Sequence, residues 1–101
     1  MKNEEIILRE RIFLLHNKKI ESTGKYINIS TAEGREIRIL EPEEIHTETG
    51  WRKEKRKIKK GEEPITEIKI WKGYSKNNKG GLIQTKAKFY KISQTEEIKN
   101  E

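Results

Sequence analysis

Apolar residues recur at helical spacing near the start of the chain: Ile7, Leu8, Ile12, Leu14 and Leu15, with Ile6 and Phe13 widening the stripe. This pattern predicts a helix over about residues 4–18. Asn3 is placed to cap it, Glu4 and Glu5 suit its first turn, and Lys18 and Lys19 suit its end. His16 falls on the last turn, in a surface or dipole-complementing role.

The period then changes to two. Residues 25–30 alternate with Ile27 and Ile29 on one face, and residues 35–40 alternate with Ile37 and Ile39 on one face. Between them Thr31-Ala32-Glu33-Gly34 reads as a turn, so the pair predicts a β-hairpin. Pro42 breaks the second strand, and Thr47 is a candidate cap for a second helix over about residues 47–56. Gly50 weakens that helix, and Trp51 is its expected anchor into the core. Ile58, alone in a run of cations, is expected to point inward, and Lys59-Lys60-Gly61 turns the chain. Two longer strands follow over residues 65–72 and 82–92, joined by a loop over residues 73–81 that is rich in Asn, Lys and Gly. The expected fold is α+β: an N-terminal helix, a β-hairpin, a short second helix and a longer antiparallel hairpin. One mixed or antiparallel sheet with helices on one side would hold them together. Residues 1–96 are expected to form one domain and residues 97–101 a frayed tail.

Composition narrows the chemistry. In 101 residues, 31% are hydrophobic and 40% charged, a lean core that suits a small binding domain better than a deep substrate cavity. Cysteine and aspartate are absent, which leaves glutamates and two histidines, His16 and His46, as candidate ligands or catalysts. No metal-ligand spacing, nucleophile elbow or phosphate-binding loop occurs, and His46 reads as a surface or cap-adjacent residue. The expectation is a protein that is not an enzyme and needs no metal or cofactor. No apolar run is long enough to span a membrane and no signal-peptide pattern opens the sequence, so a cytoplasmic location is expected.

Charge changes the picture more. Residues 52–91 carry 14 basic and 4 acidic side chains, a balance of +10 within a net charge of +6. The densest stretch holds Arg52, Lys53, Lys55, Arg56, Lys57, Lys59 and Lys60 against Glu54 alone. Such a field draws in an anionic polymer. The strand period adds specificity. Ile68 and Ile70 share one face with Ile83, Ala87 and Phe89, and this face is expected to pack on the core. Lys69 and Trp71 fall on the other face, as do Lys86, Lys88 and Tyr90. Lysines neutralise phosphates, and aromatic rings stack on unpaired bases at roughly 1–3 kcal/mol per base. The candidate nucleic-acid-binding residues are therefore Arg52, Lys53, Lys55, Arg56, Lys59, Lys60, Lys69, Trp71, Lys86, Lys88 and Tyr90.

Trp51, Ile58, Lys59, Lys60, Gly61, Glu62 and Pro64 resemble the W-x-x-x-G-x-x-V-K-K-G-E-K segment of the ArdC-type antirestriction N-terminal domain and its short relatives in phages and mobile elements. Glu44-Ile45-His46-Thr47, Ile68-Lys69-Ile70-Trp71-Lys72 and Phe89-Tyr90-Lys91-Ile92-Ser93-Gln94-Thr95-Glu96 resemble the segments around it, so the likeness covers residues 44–97. It implies an α+β domain that binds single-stranded DNA and protects incoming DNA from host defence. It also carries Lys59, Lys60, Gly61, Trp71, Phe89, Gln94 and Glu96 over as matching positions. Lys55 stands where that pattern has Gly, and the family's segment rich in Trp, Pro and Asn is not visible. From the residues themselves, Ser93 and Glu96 have the spacing of a capping box for a short terminal helix. The alternative expectation is an inhibitor of the anti-CRISPR kind that binds a host defence nuclease without touching DNA.

Overall fold

The first helix, α1 (Asn3–His16), stops two residues short of the expected end. Its carbonyls are closed by Lys18 N–H to Leu15 O at 3.1 Å and Lys19 N–H to Leu14 O at 2.8 Å, a Schellman turn with Lys18 at φ 59°. That turn drops Ile20 into the interior beside Leu14, both almost fully buried. The computed structural model describes residues 2–76 and 79–99. Asn77 and Asn78 of the expected loop, and Asn100 and Glu101 of the expected tail, lie outside the described residues.

Strands β1 (Ser22–Ser30) and β2 (Glu36–Pro42) pair antiparallel, with Ile27 opposite Ile39 and Ile29 opposite Ile37, as the alternation predicts. The turn closes through Thr31 N–H to Arg35 O at 2.7 Å and Gly34 N–H to Thr31 O at 2.9 Å. Gly34 supplies the φ of 80° that other residues resist. The short strand β3 (Ile45–His46) leads into α2 (Glu48–Lys53), where Thr47 Oγ1 accepts from Gly50 N–H at 3.1 Å as the cap. This helix ends three residues before the expected end, because Lys55 turns left-handed at φ 61° and Arg56 opens β4 (Arg56–Ile58). Strands β5 (Thr66–Lys76) and β6 (Lys79–Lys91) follow, then a 3₁₀ turn (Ile92–Gln94) and β7 (Thr95–Glu97).

The α+β class holds, but the strands divide differently from the single sheet expected. Among the described residues they form three small sheets: β1–β2, β3–β6–β5 and β4–β7. The reason lies in α1. Its apolar residues do not make one stripe; Ile7, Leu14 and Leu15 join the core under β5 and β6, while Leu8 and Ile12 face a cleft shared with Ile29. A helix apolar on two sides separates the first hairpin from the main sheet.

Two further expectations are corrected. The loop over residues 73–81 is largely strand, with Gly73 opposite Leu82 and Lys76 opposite Lys79. The Ser93 capping box is absent: Gln94 Oε1 accepts from Lys91 N–H at 3.0 Å, and the chain enters β7 rather than a helix. Glu97 is paired with Arg56, and Ile98 N–H donates to Lys55 O at 3.0 Å.

The buried apolar cluster is small: Leu14, Ile20, Ile45 and Phe89, ringed by half-buried Ile65, Ile68, Ile70 and Ala87. A radius of gyration of 15.8 Å, against about 13 Å for a compact chain of this length, reflects hairpins that project from that core. The extents of 42 × 40 × 21 Å describe a flat molecule. No helix among the described residues is long and apolar enough to cross a membrane.

Candidate nucleic-acid interface

The register of the main hairpin fixes which side chains share a side. Thr66 opposes Phe89, Ile68 opposes Ala87 and Ile70 opposes Thr85, so these project towards the core with Ile45 of β3. Glu67 opposes Lys88, Lys69 opposes Lys86 and Trp71 opposes Gln84, so these project from the other side. Tyr90 opposes His46 and belongs to that second side too. The structure therefore brings Lys69, Trp71, Lys86, Lys88 and Tyr90 together on one side of one hairpin, in the arrangement the strand period predicts.

The two rings are not equally open. Trp71 is 38% exposed. Its ring borders an open cleft with Leu82, itself 67% exposed, and with Lys2 and Glu5 at the start of α1. Tyr90 is half-buried and lines a groove of about 530 Å³ at the β6 edge, shared by Lys86 and Lys88, the Thr47–Glu48 start of α2, and Ile70, Thr85 and Ala87 of the core-facing parity. Trp51 is the core anchor, 4% exposed, with its Nε1–H donating to Tyr90 O at 2.8 Å. His46 meets the Trp51 ring edge-on at 4.7 Å, which seats α2 against β3.

Asn3 holds the Trp71 segment. Instead of capping α1, its amide spans the free edge of β5: Nδ2 donates to Trp71 O at 2.8 Å, and Oδ1 accepts from Trp71 N–H at 2.7 Å. This pairing is what a neighbouring strand would offer, and it fixes the backbone that carries the exposed ring.

The dense cationic run is divided among other tasks. Arg52 pairs with Glu48 at 3.3 Å, and Lys57 with Glu96 at 3.5 Å. Arg56 Nε–H donates to Thr95 Oγ1 at 2.6 Å and stitches β4 to β7. Lys59 Nζ donates to Ser93 O at 3.2 Å. Lys53, Lys55 and Lys60 are exposed and form no ion pair among the described residues. These residues belong to α2 and the β4–β7 pair, which adjoin the main hairpin at its Tyr90 end through Trp51. Among the described residues no three His, Cys, Asp or Glu side chains converge as metal ligands would.

The sequence reading missed three members of the surface. Glu67, Gln84 and Leu82 share the strand parity of Lys69 and Lys86, so stepping the same period back from Lys69 to Glu67, and from Lys86 to Gln84 and Leu82, finds them. Glu67 matters most, as an acid within a cationic side, with Oε1 at 3.9 Å from Lys86 Nζ. Asn3 had no local signal, because its partner is 68 residues away. Comparison with family models, curated proteins and solved structures gives no match, so the ArdC-type likeness rests on the quoted residues alone.

Proposed function

We propose that this chain is a small single-stranded nucleic-acid-binding protein whose contact surface is the open side of the β5–β6 hairpin. The observation that carries this reading is the exposed Trp71 ring on the same side as Lys69, Lys86 and Lys88. An unpaired base gains a stacking partner there and its phosphates gain ammonium groups, whereas a duplex presents no base faces to a ring at such a surface. The likeness over residues 44–97 extends the proposal to single-stranded DNA of a phage or mobile element, in protection of the antirestriction kind. Lys55 supports that extension, because it adopts φ 61° at the position where the resembled pattern carries Gly.

Fluorescence anisotropy with labelled oligonucleotides tests the reading. The single strand should bind more tightly than its duplex, with a salt slope of about −0.7 per phosphate contacted. Trp71→Ala should lower affinity more than about tenfold while the thermal midpoint stays within a few degrees. Equal affinity for both forms, or no binding at low salt, would overturn it.

A second reading has its own support. Tyr26 and Leu40 oppose each other on the outer side of the first hairpin and are 56% and 42% exposed. A ring with the Arg38 guanidinium 4.9 Å from its centroid, beside an exposed leucine, suits a protein partner, such as a host defence nuclease that this chain would inhibit. Partners captured from lysate that persist after nuclease digestion, and are lost in Tyr26→Ser, would favour it.

A further inference from the structure

We infer that the bound strand lies lengthwise along β5 and β6, from Trp71 to Tyr90, with a footprint of about four nucleotides. This rests on the nucleic-acid reading above and specifies its geometry. The open side is a ladder of cross-strand pairs. Its exposed rungs, in order, are Trp71 with Gln84, Lys69 with Lys86, and Glu67 with Lys88, and it ends at the half-buried rung of His46 with Tyr90, where the Trp51 ring meets His46. Successive rungs are two residues apart, about 6.8 Å at the rise of an antiparallel strand. A single strand released from the duplex stack stretches to a similar repeat, roughly twice the stacked rise of about 3.4 Å. Three steps between four rungs thus match three internucleotide steps, about 20 Å in all.

The chemistry along the ladder fits that path. The terminal rungs carry the rings and the middle rungs carry the cations, so bases stack at the ends while phosphates pass over Lys69, Lys86 and Lys88. Both ends are anchored by the fold: Asn3 holds the Trp71 backbone from one edge, and the Trp51 indole holds Tyr90 O. A strand running crosswise would meet one rung, two side chains about 5 Å apart, and could engage only one ring.

Length dependence separates the two paths. Thymidine oligonucleotides from two to eight residues are titrated while intrinsic fluorescence is read, since Trp71 is exposed and Trp51 is buried. Affinity should climb steeply up to about four nucleotides and then flatten to the statistical gain of extra binding frames. Lys88→Gln, at an exposed position near the far end, should weaken the six-residue oligonucleotide about threefold and leave the two-residue one unchanged. Tyr90→Leu should do the same more strongly. Trp71→Ala, which lacks the reporting indole and is therefore read by anisotropy of labelled oligonucleotides, should weaken every length. A plateau at two nucleotides, or a Lys88→Gln loss equal at all lengths, overturns the lengthwise path while leaving single-strand binding intact. Absence of binding at every length overturns both.

Discussion

Replacing Glu67 with glutamine should tighten binding of a single strand about fivefold. Its carboxylate stands opposite Lys88 and 3.9 Å from the Lys86 ammonium, with 41% of the side chain exposed. At that exposure the ion pair contributes at most a few tenths of a kcal/mol to folding, so the fold should survive its loss. The effect on a ligand is larger. A phosphate held by Lys86 or Lys88 would sit about one strand spacing or slightly more from the carboxylate. Unit charges about 4 Å apart in bulk water interact by about 1 kcal/mol, and distance with moderate salt reduces each such repulsion to roughly 0.5 kcal/mol. Two phosphates give about 1 kcal/mol, or about fivefold in affinity. Lys86, released from its acidic neighbour, should also steepen the salt slope by up to about 0.7. Anisotropy titrations between about 0.05 and 0.2 M salt read both quantities. Glu33→Gln, in the turn of the first hairpin, removes the same charge from a distant place and serves as the control. An equal gain in the control would mean that net charge alone governs affinity. No gain in Glu67→Gln would mean that phosphates do not pass over these rungs, and either result refutes the reasoning.

The two tryptophans should behave as opposites: Trp51→Ala should cost about 3–5 kcal/mol in urea unfolding, because it empties a buried site and leaves Tyr90 O without its donor. Asn3→Ala should lower single-strand affinity about threefold with little change in the urea midpoint, and Asn3→Asp, which keeps the acceptor but not the donor, should fall between it and the parent. Lys55→Gly should raise stability by roughly 0.5–1 kcal/mol, read as a higher thermal midpoint, since glycine adopts a φ of 61° without the clash a side chain meets.

What the sequence made legible follows from local rules. Strand parity placed Lys69, Trp71, Lys86, Lys88 and Tyr90 on one side correctly, since side chains in a strand alternate whatever the tertiary setting. Thr47 was legible as a cap because capping is decided within three residues. The failures sit where distant contacts compete with local ones. Asn3 has the chemistry of a cap, yet two bonds to the β5 edge outweigh one bond to its own helix. Charge counting treated Arg52–Lys60 as one field, but Glu48, Ser93, Thr95 and Glu96 each claim a cation from it. Counting cannot see this, because three of those four partners lie more than 30 residues away in sequence.

The placement of the small core leaves the Trp71 end of the open side clear of it. Leu14, Ile20, Ile45 and Phe89 meet near the base of the main hairpin, where β3 joins β6 and Trp51 closes over it. The Trp71 and Leu82 end lies beyond that cluster, fastened to the rest by β5–β6 pairing and the Asn3 amide. The Trp71 end of the proposed contact surface therefore lies apart from the core, and its Tyr90 end adjoins it. A substitution at Trp71, Lys69 or Lys86 should register in binding and scarcely in unfolding, and one at Phe89 or Trp51 should register in unfolding first.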